Sequence, residues 1–179
     1  VTLYVLPSFL SPTECEAALA LFPPTAPAVV NASTSSVSLD RAVRRSRVSF
    51  LTDTSPESKA LVARLTSVLL QVNERHFGFE LDGAEPPQLA EYREGDGYRW
   101  HLDLGPGSAS RRKLSASVQL SKPSNYSGGA LEIFGSGAVD HEQGTLAVFP
   151  SYLLHRVAPV ERGVRKSLVV WATGKRAFR

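Results

Sequence analysis

The chain has 179 residues, a length that suits one domain and lets it bury a core without disulfides or structural metals. Hydrophobic residues make up 42% and charged residues 21%, ordinary globular usage that excludes a disordered tail, a collagen or a coiled coil. The formal net charge of +3 is too small to indicate nucleic acid by itself. Arginines nevertheless gather at Arg41, Arg44, Arg45 and Arg47, and again at Arg111 and Arg112 beside Lys113. Each cluster reads either as a solvated loop face or as an attractor for an acidic substrate or partner.

Apolar runs such as Leu168 to Ala172 fall far short of the ~20 residues that a membrane helix needs, so no membrane span is expected. Val1 to Leu10 has neither the basic segment nor the apolar core of a signal peptide. A lone cysteine, Cys15, forms no internal disulfide, which points to a reducing cytoplasm. The absence of methionine reads as removal of the initiator or trimming of the chain.

Along the chain, Leu3 to Leu6 reads as a strand. Ser11-Pro12-Thr13-Glu14 then carries an N-cap serine, a first-turn proline and a capping-box acid, opening a helix that Pro23-Pro24 stops. Residues 23–40, rich in Pro, Ala, Ser and Thr, read as a loop and a candidate lid. Val48 to Leu51 is predicted as a strand. A second helix starts at Thr54-Ser55-Pro56-Glu57, with Leu61, Val62, Leu65, Val68, Leu69 and Val72 at helical spacing, and ends near Gly78. His76, at its end, suits the helix dipole.

From Gln88 the pattern changes to short runs separated by turn residues: Gln88 to Tyr92, Tyr98 to Leu102, Leu114 to Leu120, Ala130 to Phe134, Thr145 to Phe149, Arg156 to Val160 and Ser167 to Ala172. Such strands predict a sandwich or barrel. Residues 1–179 therefore read as a single α+β, mainly β domain, with N-terminal helical support over 1–87 and a β-barrel over 88–174. In the strand from Leu114 to Leu120, Ser115, Ser117 and Gln119 form one polar face, lining either a wet pocket or solvent.

His101 and Asp103 stand two apart on a predicted strand, so both project to one face. His155 opens another strand downstream. Two imidazoles and one carboxylate make the facial triad of non-haem Fe(II) oxygenases, which leaves positions open for cosubstrate and dioxygen. Arg165, on the last strand, reads either as a surface arginine or as a bidentate grip on a carboxylate. His141, between Asp140 and Glu142, reads as a surface residue.

Five motifs stand in order: Tyr92-x5-Tyr98-x2-His101-x-Asp103, Ser127-Gly128-Gly129-x-Leu131, Phe149-Pro150-x4-His155, Arg165 and Trp171. Over residues 88–174 the chain resembles the 2-oxoglutarate/Fe(II) dioxygenases, and most closely the prolyl-4-hydroxylase-like branch with its PKHD-type hydroxylases. Phe9-Leu10-Ser11-x2-Glu14-Cys15 is similar to that family's opening helix. The resemblance implies a double-stranded β-helix (jelly-roll) core flanked by N-terminal helices. It also implies Fe(II), 2-oxoglutarate and O2, with ascorbate as a candidate reductant. By the same resemblance His101, Asp103 and His155 match the metal ligands and the catalytic centre. Arg165 matches the residue that pairs with the distal carboxylate of 2-oxoglutarate, and Tyr92 a cosubstrate-bonding tyrosine that otherwise reads as a core residue. Gln119 stands where relatives place a tyrosine. Trp171 reads as a wall of the cofactor chamber or as a core tryptophan.

The implied reaction is hydroxylation of an amino-acid side chain, in a peptide or protein or in a free amino acid, coupled to decarboxylation of 2-oxoglutarate to succinate and CO2. Residues 23–40 and 104–113 are the candidate lids. The rival readings are a catalytically silent jelly-roll binding or sensing module, a bland metal cupin, and an oxygenase acting on nucleic acid or another small molecule. No nucleic-acid or membrane partner is expected, and the sequence leaves the oligomeric state open.

Overall fold

A computed structural model describes residues 2–28, 30–31, 37–38 and 43–178. The chain opens with β1 (Tyr4–Leu6) and α1 (Pro12–Ala20). Ser11 and Glu14 form the expected capping box, the Ser11 hydroxyl accepting from the Glu14 amide and the Glu14 carboxylate accepting from the Ser11 amide. The short strands β2 (Ala26–Pro27), β3 (Val30–Asn31), β4 (Val37–Ser38), β5 (Arg44–Arg45) and β6 (Arg47–Phe50) follow. Of these, β2, β3 and β4 fall within the loop expected over residues 23–40; residues 29, 32–36 and 39–40 of that candidate lid, and Arg41 of the basic cluster, lie outside the described residues.

Helix α2 (Pro56–Val72) is capped by Ser55 and buries Leu61, Leu65, Leu69 and Val72. Val62, expected on the same stripe, is 37% exposed, because the buried face is only one residue wide at that turn. A π turn over Asn73–Phe77 ends at left-handed Gly78. Its His76 stacks on Tyr4 of β1 at 4.8 Å, a packing role beside the expected one at the helix end.

Strands β7 (Gly83–Ala84), β8 (Gln88–Arg93), β9 (Gly97–His101), β10 (Arg112–Gln119), β11 (Tyr126–Gly128), β12 (Leu131–Ile133), β13 (Gly137–Ala138), β14 (Leu146–Pro150), β15 (His155–Val157) and β16 (Val160–Thr173) complete the chain. They build two antiparallel sheets. The major sheet runs β1-β14-β10-β16-β8-β6-β2, with β11 and β7 also paired to β16; the minor sheet runs β13-β12-β15-β9-β5. This is the jelly-roll expected from the sequence. Strands from before residue 88 also enter both sheets: β1, β2, β6 and β7 the major, β5 the minor.

The side-chain period of two sorts the major sheet into faces. Leu114, Ala116 and Val118 of β10 and Leu168, Val170 and Ala172 of β16 join Leu65, Leu69 and Cys15 in one core beneath the helices. The alternate residues, Ser115 and Ser117 of β10 and Arg165, Ser167, Val169 and Trp171 of β16, line a cavity between the sheets. The polar face predicted on β10 is therefore a cavity wall at its first two positions. Among the described residues, no helix is long and apolar enough to cross a membrane.

Candidate metal centre and active site

In the minor sheet β9 and β15 pair with His101 opposite His155, their ring centroids 4.1 Å apart. Strand β9 ends at His101, one residue earlier than the sequence pattern predicts. Asp103 therefore reaches the same face from the turn that follows, where its amide donates to the Ser151 carbonyl at 3.1 Å. One ligand atom from each of His101, Asp103 and His155 falls within 4.8 Å of the others.

Backbone carbonyls orient both rings. The Nδ1–H of His101 donates to Arg99 O at 2.7 Å, and that of His155 to Leu153 O at 2.9 Å. Each Nε2 then turns its lone pair towards the Asp103 carboxylate, at 3.8 Å for His101 and 3.4 Å for His155. Three such groups converging this closely repel one another unless a cation, or at His155 a proton shared with the carboxylate, sits between them, and an outer carbonyl on each ligating His is the usual support of a metal site. The carboxylate is itself fixed by the Ser115 hydroxyl, which donates to Oδ2 at 2.6 Å and lies 3.0 Å from Ser151 Oγ.

Burial, helped by the neighbouring His155, pushes the His101 imidazole down to about 4, so it is neutral and its lone pair free at neutral pH. Burial alone would raise the Asp103 carboxyl, but the hydrogen bond to and charge of His155, the neighbouring His101 ring and the Ser115 hydroxyl outweigh it and hold the group well below the usual carboxylate range. Burial opposes a charge on His155, yet its hydrogen bond to Asp103 wins and raises it.

The cavity behind the triad has a volume of about 530 Å³. Arg165 lies in its wall, 4% exposed, directly opposite Tyr92 in the β16–β8 register. Its Nη1 donates to Ser167 Oγ at 3.4 Å and its guanidinium stands 5.7 Å from the Tyr92 ring. Among the described residues no carboxylate pairs with it. A buried guanidinium without an anion is costly, so this arrangement suits a ligand that brings a carboxylate. Gly129 makes room for it: a Cβ there would lie 3.1 Å from Arg165 Cδ, and its φ of +64° already disfavours any side chain.

Trp171 also lines the cavity, with the Arg112 guanidinium 3.8 Å from its ring and its indole N–H buried without a partner among the described residues. Arg112 is held by Glu85 in two bonds of 2.6 Å and donates to the Asp103 carbonyl at 3.2 Å, bracing the turn that carries the carboxylate. The candidate lid over 104–113 holds a 3-10 turn, Gly107–Arg111, and the start of β10. Gln119 lies outside the main cavity. It lines a small crevice on another side of Arg165, and its amide donates to the Ser121 carbonyl at 3.1 Å, because β10 leaves the cavity floor at that point. His141 is exposed, as expected.

One residue escaped the sequence reading, and another entered it only as a motif position. The Tyr126 hydroxyl is buried without a hydrogen-bond partner among the described residues. Burial raises this phenol while the adjacent Arg165 charge draws it back, so it packs beside the guanidinium behind the cavity wall. Tyr98 stacks on His101 with ring centroids 3.4 Å apart, and burial pushes its phenol up to about 12. The Tyr98-x2-His101 spacing was legible, but not that the two rings meet.

Residues 87–173 match the family model of the 2OG-Fe(II) oxygenase superfamily. Over part of its length the chain is similar in sequence to PKHD-type hydroxylases. It is 43% identical over 94 residues to a PKHD-type hydroxylase of Teredinibacter turnerae, covering 48% of this chain and 42% of the relative. It is 37% identical over 120 residues to another from Hyphomonas neptunium, covering 61% of this chain and 54% of the relative. The chain thus spans about half the length of the curated relatives it matches. In fold it is similar to a Pseudomonas putida prolyl-4-hydroxylase, with a TM-score of 0.74 at 22% identity over 97% of this chain and 93% of that one. A prolyl hydroxylase in complex with a hypoxia inducible factor peptide fragment, from Trichoplax adhaerens, gives 0.72 at 20% identity, covering 97% and 84%.

Proposed function

We propose that the chain is an Fe(II)- and 2-oxoglutarate-dependent dioxygenase that hydroxylates an amino-acid side chain and releases succinate and CO2. The observation that carries this reading is one cavity with a cation seat at one wall and a buried, acid-free guanidinium at another. A cupin that binds metal alone has no use for Arg165 in that state. A silent module has no use for the full set.

His101, Asp103 and His155 would hold the metal, and Arg165 the distal carboxylate of the cosubstrate, with Tyr92 beside it in the cavity wall. When bound, iron and 2-oxoglutarate would together supply the electrons that activate dioxygen for attack on an unreactive C–H bond. The protein's own part is positioning and exclusion. Carbonyls of Arg99 and Leu153 keep each Nδ1 protonated and each Nε2 free, and Ser115 keeps Asp103 ionised and still. Phe149, Leu131, Val157 and Trp171 give the cavity apolar walls that limit water near the reacting atoms.

The test is succinate formation from 2-oxoglutarate under air with Fe(II) and ascorbate, beside Mn(II) and 2-oxoglutarate titrations read by intrinsic tryptophan fluorescence. Wild type should bind both and form succinate slowly without a substrate; His101→Ala and His155→Ala should lose metal binding and turnover together. Failure of wild type to bind either the metal or 2-oxoglutarate would sink the reading.

A further inference from the structure

Two arginines line the cavity without an acidic partner among the described residues, and the oxygenase reading uses only Arg165. The other is Arg44 of β5, opposite Tyr98 in the β5–β9 register. Its Nε–H donates to Ser46 Oγ at 2.7 Å and its Nη2 to Gln88 Oε1 at 3.2 Å. Its guanidinium carbon lies 4.8 Å from the centre of the Tyr98 ring, which stacks on His101. Neutral groups thus fix the guanidinium close to the metal centre and leave its charge uncompensated.

Arg44 also lines a second cleft, of about 200 Å³, together with Arg45, Arg47, Arg93 and Asp96. Arg45 stands 3.7 Å from Asp96. Arg47, Arg93 and Lys166 share the single carboxylate of Glu91, at 4.0, 2.9 and 3.7 Å. Among the described residues, five cations here meet two carboxylates. Elsewhere at the cavity the balance is different. Arg111 and Arg112 are matched by Asp82 and Glu85, and Phe50, Leu102, Leu104 and Pro106 add apolar surface. Positive potential therefore gathers on one side.

We propose that the substrate is an acidic polypeptide segment: its target residue enters the cavity, an Asp or Glu close to it in sequence pairs with Arg44, and further acidic residues lie over the Arg45–Arg93 cleft. The proposal rests on the oxygenase reading for its chemistry, though not for its binding. A free amino acid would occupy the cavity and leave the cleft without a role. A nucleic-acid strand asks for cations spaced along its phosphates on both sides of an entrance, and here the Arg111–Arg112 side is neutralised. Carboxylates projecting from one side of an extended peptide match the asymmetry, since bidentate guanidinium–carboxylate pairing is strong and directional.

The experiment uses two pools of short, capped, fluorescein-labelled peptides, with Asp and Glu around a variable central residue in one and Asn and Gln at the same positions in the other. Binding is read by anisotropy with the full chain loaded with Mn(II) and 2-oxoglutarate. The acidic pool should bind about tenfold more tightly, the scale of one charged hydrogen-bonded pair, and the advantage should shrink as salt rises. Arg44→Gln should abolish most of that preference, Arg44→Lys should retain part of it, and the double variant Arg45→Gln/Arg93→Gln should reduce it independently. Circular dichroism verifies that each variant is folded. Equal binding of the pools, binding of neither, a preference that survives Arg44→Gln, or tighter binding of labelled oligothymidine would each overturn the proposal. Metal and 2-oxoglutarate titrations on the same samples report separately on the oxygenase reading.

Discussion

Arg165 occupies a position that its own surroundings stabilise poorly: its guanidinium is buried, no carboxylate pairs with it among the described residues, and Ser167 Oγ accepts only at 3.4 Å. A ligand carboxylate would supply the missing charge. Arg165→Gln should therefore weaken 2-oxoglutarate binding by roughly 10- to 100-fold, the equivalent of one charged hydrogen-bonded pair, and leave Mn(II) binding near wild type. Saturating 2-oxoglutarate should raise the Tm of wild type more than that of the variant, which differential scanning fluorimetry reads directly. Cys15 makes the opposite case of a group kept inert. Burial, aided by Glu16 and Glu14, pushes its thiol from 9.0 up to about 11. Because the folded value is raised, the stability it contributes is full below the unfolded thiol's value and declines as pH climbs towards 11. Iodoacetamide at about pH 8 should label the native protein slowly and the denatured protein readily, as followed by mass spectrometry.

Among the elements, α2 shows how strongly a helix depends on one stripe. Leu65 and Leu69 are almost wholly buried against the major sheet, while Val62, one turn away, faces solvent. Leu65→Ala should cost about 2–5 kcal/mol in urea unfolding, whereas Val62→Ala should change stability by less than about 0.5 kcal/mol. Capping signals and the alternation on β10 were legible because they are local: Ser11 with Glu14, and Ser115 with Ser117. The segment from Arg44 to Arg47 was not. Ser46 separates a strand of the minor sheet from one of the major sheet, and their partners, β9 and β8, lie far along the chain. Nothing in a run of arginines tells which sheet each will join. Tyr126 escaped for a related reason. It follows a Pro-Ser-Asn turn and reaches Arg165 only through the pairing of β11 with β16. The triad could be read because its residue types carry chemistry of their own; the residues supporting it are ordinary until the sheets close.

Taken whole, the molecule is asymmetric. Helices α1 and α2 cover the outer face of the major sheet. Among the described residues no helix covers the minor sheet, where Trp100 is 39% and Phe134 67% exposed. Fewer buried contacts mean lower local stability, so amides of β10, β14 and β16 should exchange hydrogen most slowly and those of β9 and β15 faster, as measured by hydrogen–deuterium exchange. The sorting of the site follows the same division: Arg165 stands on the covered sheet, and His101 and His155 stand on the bare one. The barrel thus resembles callipers with one fixed jaw. A molecule gripped by Arg165 at one end and by the metal centre at the other becomes a tie-rod between the jaws, so Mn(II) with 2-oxoglutarate should slow exchange in β9 and β15 beyond what Mn(II) achieves alone.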